Sequence, residues 1–302
     1  MTDQNAKISQ PGAWQPGAWQ PGAWLGDLAV RGTIAAALLL PYAFRVRLCG
    51  WLFSRLVAPL AGYDRRIRAN LAQILPDLPE AEVRRMIRAV PDNVGRSLIE
   101  IYSGAEFIDR VTRQPLSGPG LAALDAAHAA GRPVILVTGH FGNYDASRAA
   151  LIARGYRVGA LYNPMTNARF NAHYVRAIAA IGTPVFARGR RGLAEMLRFL
   201  RSGGMLGLLI DQRMHRGALL HFIGHPALTA LSAAELALKY GALVVPTYGV
   251  RRADGLDFDI VIEDPIPAGS PETMTQALND SLEAMVRAHP EQWFWIHRRW
   301  KV

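Results

Sequence analysis

From Leu121 onward, short apolar runs alternate with segments of helical period, and this rhythm constrains the fold more than any other feature of the chain. Strand-like runs fall at 134–138, 158–162, 184–187, 205–210, 243–248 and 258–262. Helical period predicts helices over 145–154, 168–181, 192–201 and 231–240, with 273–288 closing the chain. Such alternation points to an α/β domain with a largely parallel central sheet flanked by helices. The run 205–210 carries no charge and is expected to be buried on both faces. In sheets of this kind ligands sit beyond the carboxyl ends of the strands, so the residues just after each run are where chemistry is sought.

His140 stands in such a place, in the stretch "VILVTGHFGNYD". Asp145 falls in the first turn of the following helix, where the helix dipole favours a carboxylate. Two readings stand. His140 and Asp145 are an ordinary turn residue and an ordinary helix-start acid, or they are a base and the carboxylate that holds its ring. No G-x-S-x-G elbow exists, and Ser147 lies inside the expected helix. A base without a protein nucleophile points to direct transfer, in which a bound hydroxyl attacks an activated acyl or phosphoryl group. Asp211 and Gln212 follow the run 205–210 and read as polar groups shaping the site, or as strand-end structure. Arg188, Arg190 and Arg191, set between glycines in "RGRRG", could meet Arg176 near the strand ends, where their donor forks suit phosphate. The spacing of His215, His221 and His225 is not a zinc pattern, and no metal is expected.

The chain carries a net charge of +10 and only three lysines, Lys7, Lys239 and Lys301, so its basicity is arginine. That balance asks for an anionic partner: nucleic acid, an acidic carrier protein or an anionic lipid surface. No nucleic-acid motif accompanies it; the aromatic and basic end "WFWIHRRWKV" is read as lying against the sheet and a membrane surface. The single cysteine, Cys49, excludes an internal disulfide. Residues 1–27 hold a threefold "QPGAW" repeat, read as a disordered or loosely ordered arm because its Pro and Gly oppose a regular helix. Residues 28–62 are the most apolar stretch. Residues 33–44 supply only 12 apolar positions, broken by Pro41, against the roughly 20 a spanning helix needs. The reading is an interfacial or short tilted membrane anchor with Arg31, Arg45, Arg47 and Arg55 snorkelling toward headgroups, or else a buried helical hairpin. Residues 63–104 return to helical period with a break near Pro91, and 63–302 are taken as the catalytic domain.

"GHFGNYD" resembles the His-x4-Asp/Glu signature of glycerolipid-type acyltransferases, and more closely the corresponding motif of the bacterial lipid A late acyltransferases, the lauroyl/myristoyl family. "LYNPMTNARFNAHYVRAIAAIG", "RGRRGLAEMLRFLRSGGMLGLLIDQR", "FIGHPALTALSAAELALKYGALVVPTYGVR" and "HPEQWFWIHRRWK" are similar to further segments of that family, in the same order. Asp145 stands where many members carry Glu, Asn163 where arginine is common and Ser232 where glycine is common. The resemblance implies a glycerolipid acyltransferase-like fold with an N-terminal helical membrane anchor, at the bacterial inner membrane with its catalytic domain on the cytoplasmic side. It implies an acyl donor on acyl carrier protein, or less often coenzyme A, with no further cofactor. The acceptor is a lipid hydroxyl, usually on a lipid A precursor. In that scheme His140 is the base, Asp145 orients it, and the oxyanion is met by backbone amides near Gly142 and Asn143. Asn143, Arg176, Arg188, Arg191, Asp211 and Gln212 then contact substrate. A lysophospholipid or another glycolipid, such as a mannoside, is the alternative acceptor; a non-catalytic lipid-binding protein is the alternative in kind.

Overall fold

The computed structural model describes residues 21–214 and 217–300, with side chains from residue 28 onward. Trp14, Trp19 and His215 therefore lie outside the described residues. Helices are α1 (Pro21–Leu38), α2 (Tyr42–Leu52), α3 (Ala58–Leu60), α4 (Tyr63–Ile74), α5 (Glu80–Tyr102), α6 (Ala105–Thr112), α7 (Leu121–Ala129), α8 (Tyr144–Ala153), α9 (Ala168–Ile181), α10 (Arg190–Arg201), α11 (Ser232–Tyr240) and α12 (Pro271–Ala288). Strands are β1 (Leu116–Ser117), β2 (Val134–Thr138), β3 (Val158–Tyr162), β4 (Val185–Ala187), β5 (Met205–Leu209), β6 (Ala218–Phe222), β7 (His225–Thr229), β8 (Leu243–Arg251) and β9 (Phe258–Ile262).

Seven strands form one sheet in the order β1-β9-β8-β2-β5-β3-β4. Every neighbouring pair is parallel except β8 with β9. The sheet separates two apolar cores, and β2 shows why. Successive side chains of a strand point to opposite faces. Val134 and Leu136 pack with α7, α8 and α9, whereas Ile135 and Val137 pack with α10, α11 and α12. A third core joins α4 and α5 to the C-terminal segment, where Trp293, Trp295 and Trp300 pack with Phe141 and Phe222. That aromatic end is thus interior, not the membrane-facing surface expected of it: Trp293 and Trp295 are fully buried. Its indoles find partners inside, Trp295 on the Pro290 carbonyl and Trp300 on the Phe222 carbonyl.

Several expectations change. The run 205–210 is buried at both ends, whereas Gly207, Leu208 and Leu209 between them are half-buried. The helix expected to break near Pro91 runs on, with Pro91 buried inside α5. Packing of α2, α4 and α9 against α5 outweighs the one hydrogen bond that Pro91 cannot donate. The third repeat unit is helical from Pro21 onward, within α1, rather than irregular.

The apolar stretch 28–62 folds onto the rest of the chain. α2 crosses α5 closely at Gly95, where a Cβ would come within 2.6 Å of the Cys49 carbonyl oxygen. Arg45 does not snorkel outward. It is buried, hydrogen-bonded to Ser103 Oγ at 3.1 Å and the Leu40 carbonyl at 3.0 Å, and paired with Glu106. No helix among the described residues is long and apolar enough to cross a membrane.

Candidate active site

The turn after β2 carries His140 past the sheet edge, and its backbone is held from three sides. Gly142 adopts φ +55° and lies so close to β8 that a Cβ would meet the Gly249 carbonyl oxygen at 2.0 Å. No other residue fits there. The Gly142 amide donates to the Gln292 carbonyl at 2.9 Å and the Asn143 amide to that of Gly249 at 3.1 Å. Phe294 donates its amide to the His140 carbonyl at 3.0 Å. These amides are engaged, so those of Gly142 and Asn143 are not the free oxyanion donors expected of them.

The carboxylate beside His140 is Asp211, at the end of β5, not Asp145. Its Oδ1 lies 2.8 Å from His140 Nδ1, and its Oδ2 accepts from the His140 amide at 2.7 Å and the Trp293 indole at 2.9 Å. Strand pairing explains this: β5 is β2's neighbour, with Thr138 opposite Leu209, so residues 140 and 211 emerge side by side. Burial alone would raise the Asp211 carboxyl, but the His140 charge and hydrogen bond, with His297 nearby, hold it well below the usual carboxylate range. An ionised Asp211 can only accept, so Nδ1 carries a proton, and in the neutral ring Nε2 is the nitrogen left to accept one. The Gln212 amide nitrogen lies 3.3 Å from that Nε2.

Asp145 turns the other way. Its Oδ1 accepts from Arg148 Nε at 2.8 Å, one helical turn on, and both side chains are buried. Arg148 also caps the Ile178 and Gly182 carbonyls of α9 at 2.8 and 3.0 Å. The short helix start thus points Asp145 into the layer between α8 and α9. Asn143, expected to touch substrate, is fully buried as the N-cap of α8, its Oδ1 accepting from the Asp145 amide. Its Nδ2 donates to Glu100 Oε2 at 2.8 Å, and the same oxygen accepts from Arg251 at 2.8 Å. Arg251 continues to Asn93 at 2.7 Å, and Asn93 to the Gly142 carbonyl at 3.0 Å. This buried chain fastens the His140 turn to α5.

The arginines do not gather at His140. Arg188 and Arg191 follow β4, at the sheet edge, three strand spacings from β2, or roughly 14 Å. Arg191 is 93% exposed and pairs with Glu195, while Arg176 and Arg188 are also exposed. A different arginine-rich groove of about 1260 Å³ includes Arg55, Arg84, Arg88, Arg96, Arg251 and Arg252. It lies across α5 from His140. The cavity at His140 itself is about 300 Å³ and is walled mainly by apolar side chains, among them Val90, Val94, Leu98, Ile101 and Phe294.

Two site residues were not singled out from sequence, Trp293 and His297; both lie in the C-terminal segment that was read as lying against the sheet and a membrane surface. The His297 ring is 4.8 Å from that of His140, and burial first, then the His140 charge, pushes its pKa from 6.5 down to about 4. The unfolded chain binds that proton near pH 6.5 while the folded chain resists it to about pH 4, so stability drops across this window as pH falls. Urea unfolding midpoints measured at steps through the window should decline, and H297Q should flatten the decline; an equal slope in the variant would contradict this origin.

The sequence profile of the family described as bacterial lipid A biosynthesis acyltransferase matches residues 16–302. A phosphatidylinositol mannoside acyltransferase of Mycobacterium tuberculosis is 26% identical over 245 residues, 79% of this chain and 78% of that protein. A lipid A biosynthesis acyltransferase of Haemophilus influenzae is 25% identical over 259 residues, 85% and 81% of the two chains. The lipid A biosynthesis lauroyltransferase of Escherichia coli is 23% identical over 242 residues, 78% of each.

Proposed function

Since the chain belongs to the bacterial lipid A biosynthesis acyltransferase family and is thereby an enzyme that transfers acyl groups, we propose that it moves a fatty acyl chain from an acyl thioester to a hydroxyl of a lipid A precursor. The observation that carries this reading is an imidazole held by a buried carboxylate at the wall of an apolar cavity. His140 Nε2 takes the acceptor's hydroxyl proton, and the oxygen attacks the thioester carbonyl carbon. Asp211 stabilises the imidazolium that forms. As the tetrahedral intermediate collapses the C–S bond breaks, and the imidazolium returns its proton to the departing thiolate. Gln212, whose amide already sits beside Nε2, is placed to donate toward the oxyanion. The donor is carried on acyl carrier protein; the net charge of +10 suits an acidic carrier.

The membrane is met through the N-terminal helices. Leu39, Phe44, Trp51, Leu56 and Leu60 are exposed there, and Leu39 and Leu60 are 86% and 90% so. This is the pattern of an interfacial attachment, expected at the cytoplasmic face of the inner membrane. Replacing Trp51, Leu56 and Leu60 by serine should release the protein from anionic vesicles in flotation; unchanged flotation would remove these helices as the attachment surface.

The decisive assay uses purified protein in detergent, acyl carrier protein thioesters, and three acceptors in parallel: a tetra-acylated lipid A precursor, a phosphatidylinositol mannoside and a lysophospholipid. Transfer to the first is expected. Transfer to the mannoside alone, the acceptor in the name of one relative, would replace lipid A with that glycolipid. Transfer to none would overturn the reading.

A further inference from the structure

The apolar space does not end with the cavity at His140. Tyr144 and Tyr174 line that cavity, and the same two side chains line a second one of about 70 Å³. This inner cavity lies under the strand ends, lined mostly by apolar side chains such as Leu136, Val158, Ile178 and Leu209 and on one side by the buried Asp145–Arg148 pair. Tyr144 is the first residue of α8 and Tyr174 lies midway along α9, so the two helices bring one phenol each to the boundary. Burial keeps both phenols neutral, Tyr174 raised to about 12. The two rings together form the wall between the cavities.

Gly207 shows that the space beyond is real. It lines the inner cavity, and a Cβ built on it meets only the Gly159 carbonyl oxygen, at 3.7 Å. A side chain there would grow into empty volume. The small neighbour Ala160 also lines this cavity.

We propose that the Tyr144–Tyr174 pair is the stop that sets the length of the acyl chain. A chain whose thioester carbon sits at His140 Nε2 runs along Val90, Val94, Leu98 and Ile101, and its methyl end meets the two rings. Removing one ring joins the two cavities and admits a longer chain. This rests on the acyl-transfer reading, which it deepens.

The test uses full-length wild type, Tyr174→Ala, Tyr144→Ala and the double variant Tyr174→Ala/Gly207→Val. Each is given saturated acyl carrier protein thioesters stepped by two carbons, and kcat/KM is measured against length. Each single variant should shift the optimum toward longer chains by at least one step of the series, because the space of the lost ring adds to the about 70 Å³ beyond it. The double variant should move the optimum back, which a merely loosened fold would not do. Thermal upshift by free fatty acids of the same lengths gives a second readout that needs no turnover, so either tyrosine variant that folds decides the matter. An unshifted optimum in both readouts, or a shift that Gly207→Val does not reverse, overturns the stop. A wild type that transfers nothing would sink the acyl-transfer reading, and the fatty-acid series would still decide the stop.

Discussion

Replacing His140 by alanine is expected to lower acyl transfer about 10²- to 10⁴-fold, the range in which a positioned general base contributes, with the fold intact. The expectation follows from where the ring stands. Among the described residues, His140 is the one imidazole lining the apolar cavity, the other titratable groups there being the phenols of Tyr144 and Tyr174, and with Asp211 on Nδ1 its Nε2 is the nitrogen turned toward Gln212. No serine or cysteine among the described residues lines that cavity except Ser97, which donates to the Gly142 carbonyl at 3.1 Å. Loss of the base therefore leaves the acceptor hydroxyl to attack unassisted. Initial rates with saturating donor, alongside a circular dichroism check of the fold, measure the effect. A variant within a few-fold of wild type would remove His140 from the chemistry.

The second large effect falls on stability. Glu100 is fully buried and receives Arg251 and Asn143. Glu100→Ala leaves the Arg251 guanidinium, itself buried, without its counter-charge, and breaking such a pair costs about 3–5 kcal/mol. It also releases the turn that carries His140, so activity should fall at temperatures where the protein is still folded. Chemical denaturation reads the first effect and a rate below the unfolding transition reads the second. A loss under about 1 kcal/mol would show that the network is replaceable by water.

The alternating rhythm located the parallel sheet because each strand from β2 to β5 and β8 to β9 is a self-contained apolar run, and the run-to-helix order dictates crossovers. What escaped were elements without such runs. The two-residue β1 takes its identity from pairing with β9. The β6–β7 hairpin turns at Ile223 and Gly224, both at positive φ; an isoleucine there, at φ +51°, carries no turn signature. The position of His140 was legible from the strand end. Its partner was not, because a pairing across 71 residues depends on β2 and β5 lying side by side, whereas the carboxylate five residues away was merely near in sequence. The arginine readings failed for a related reason. β4 is the sheet edge, so "RGRRG" follows a strand that is not adjacent to β2.

The most direct measurement compares Asp211→Asn with Asp145→Asn in the same acyl-transfer assay, per mole of folded enzyme and well below either unfolding transition. Asn at 211 keeps the shape but withdraws the charge that fixes the ring and supports the imidazolium, so kcat should drop about 10²- to 10⁴-fold. Asn at 145 removes the partner of buried Arg148, so its thermal midpoint should fall while kcat stays within a few-fold of wild type. The reverse pattern, with Asp211→Asn active and Asp145→Asn dead but folded, would contradict the His140–Asp211 assignment on which the mechanism rests.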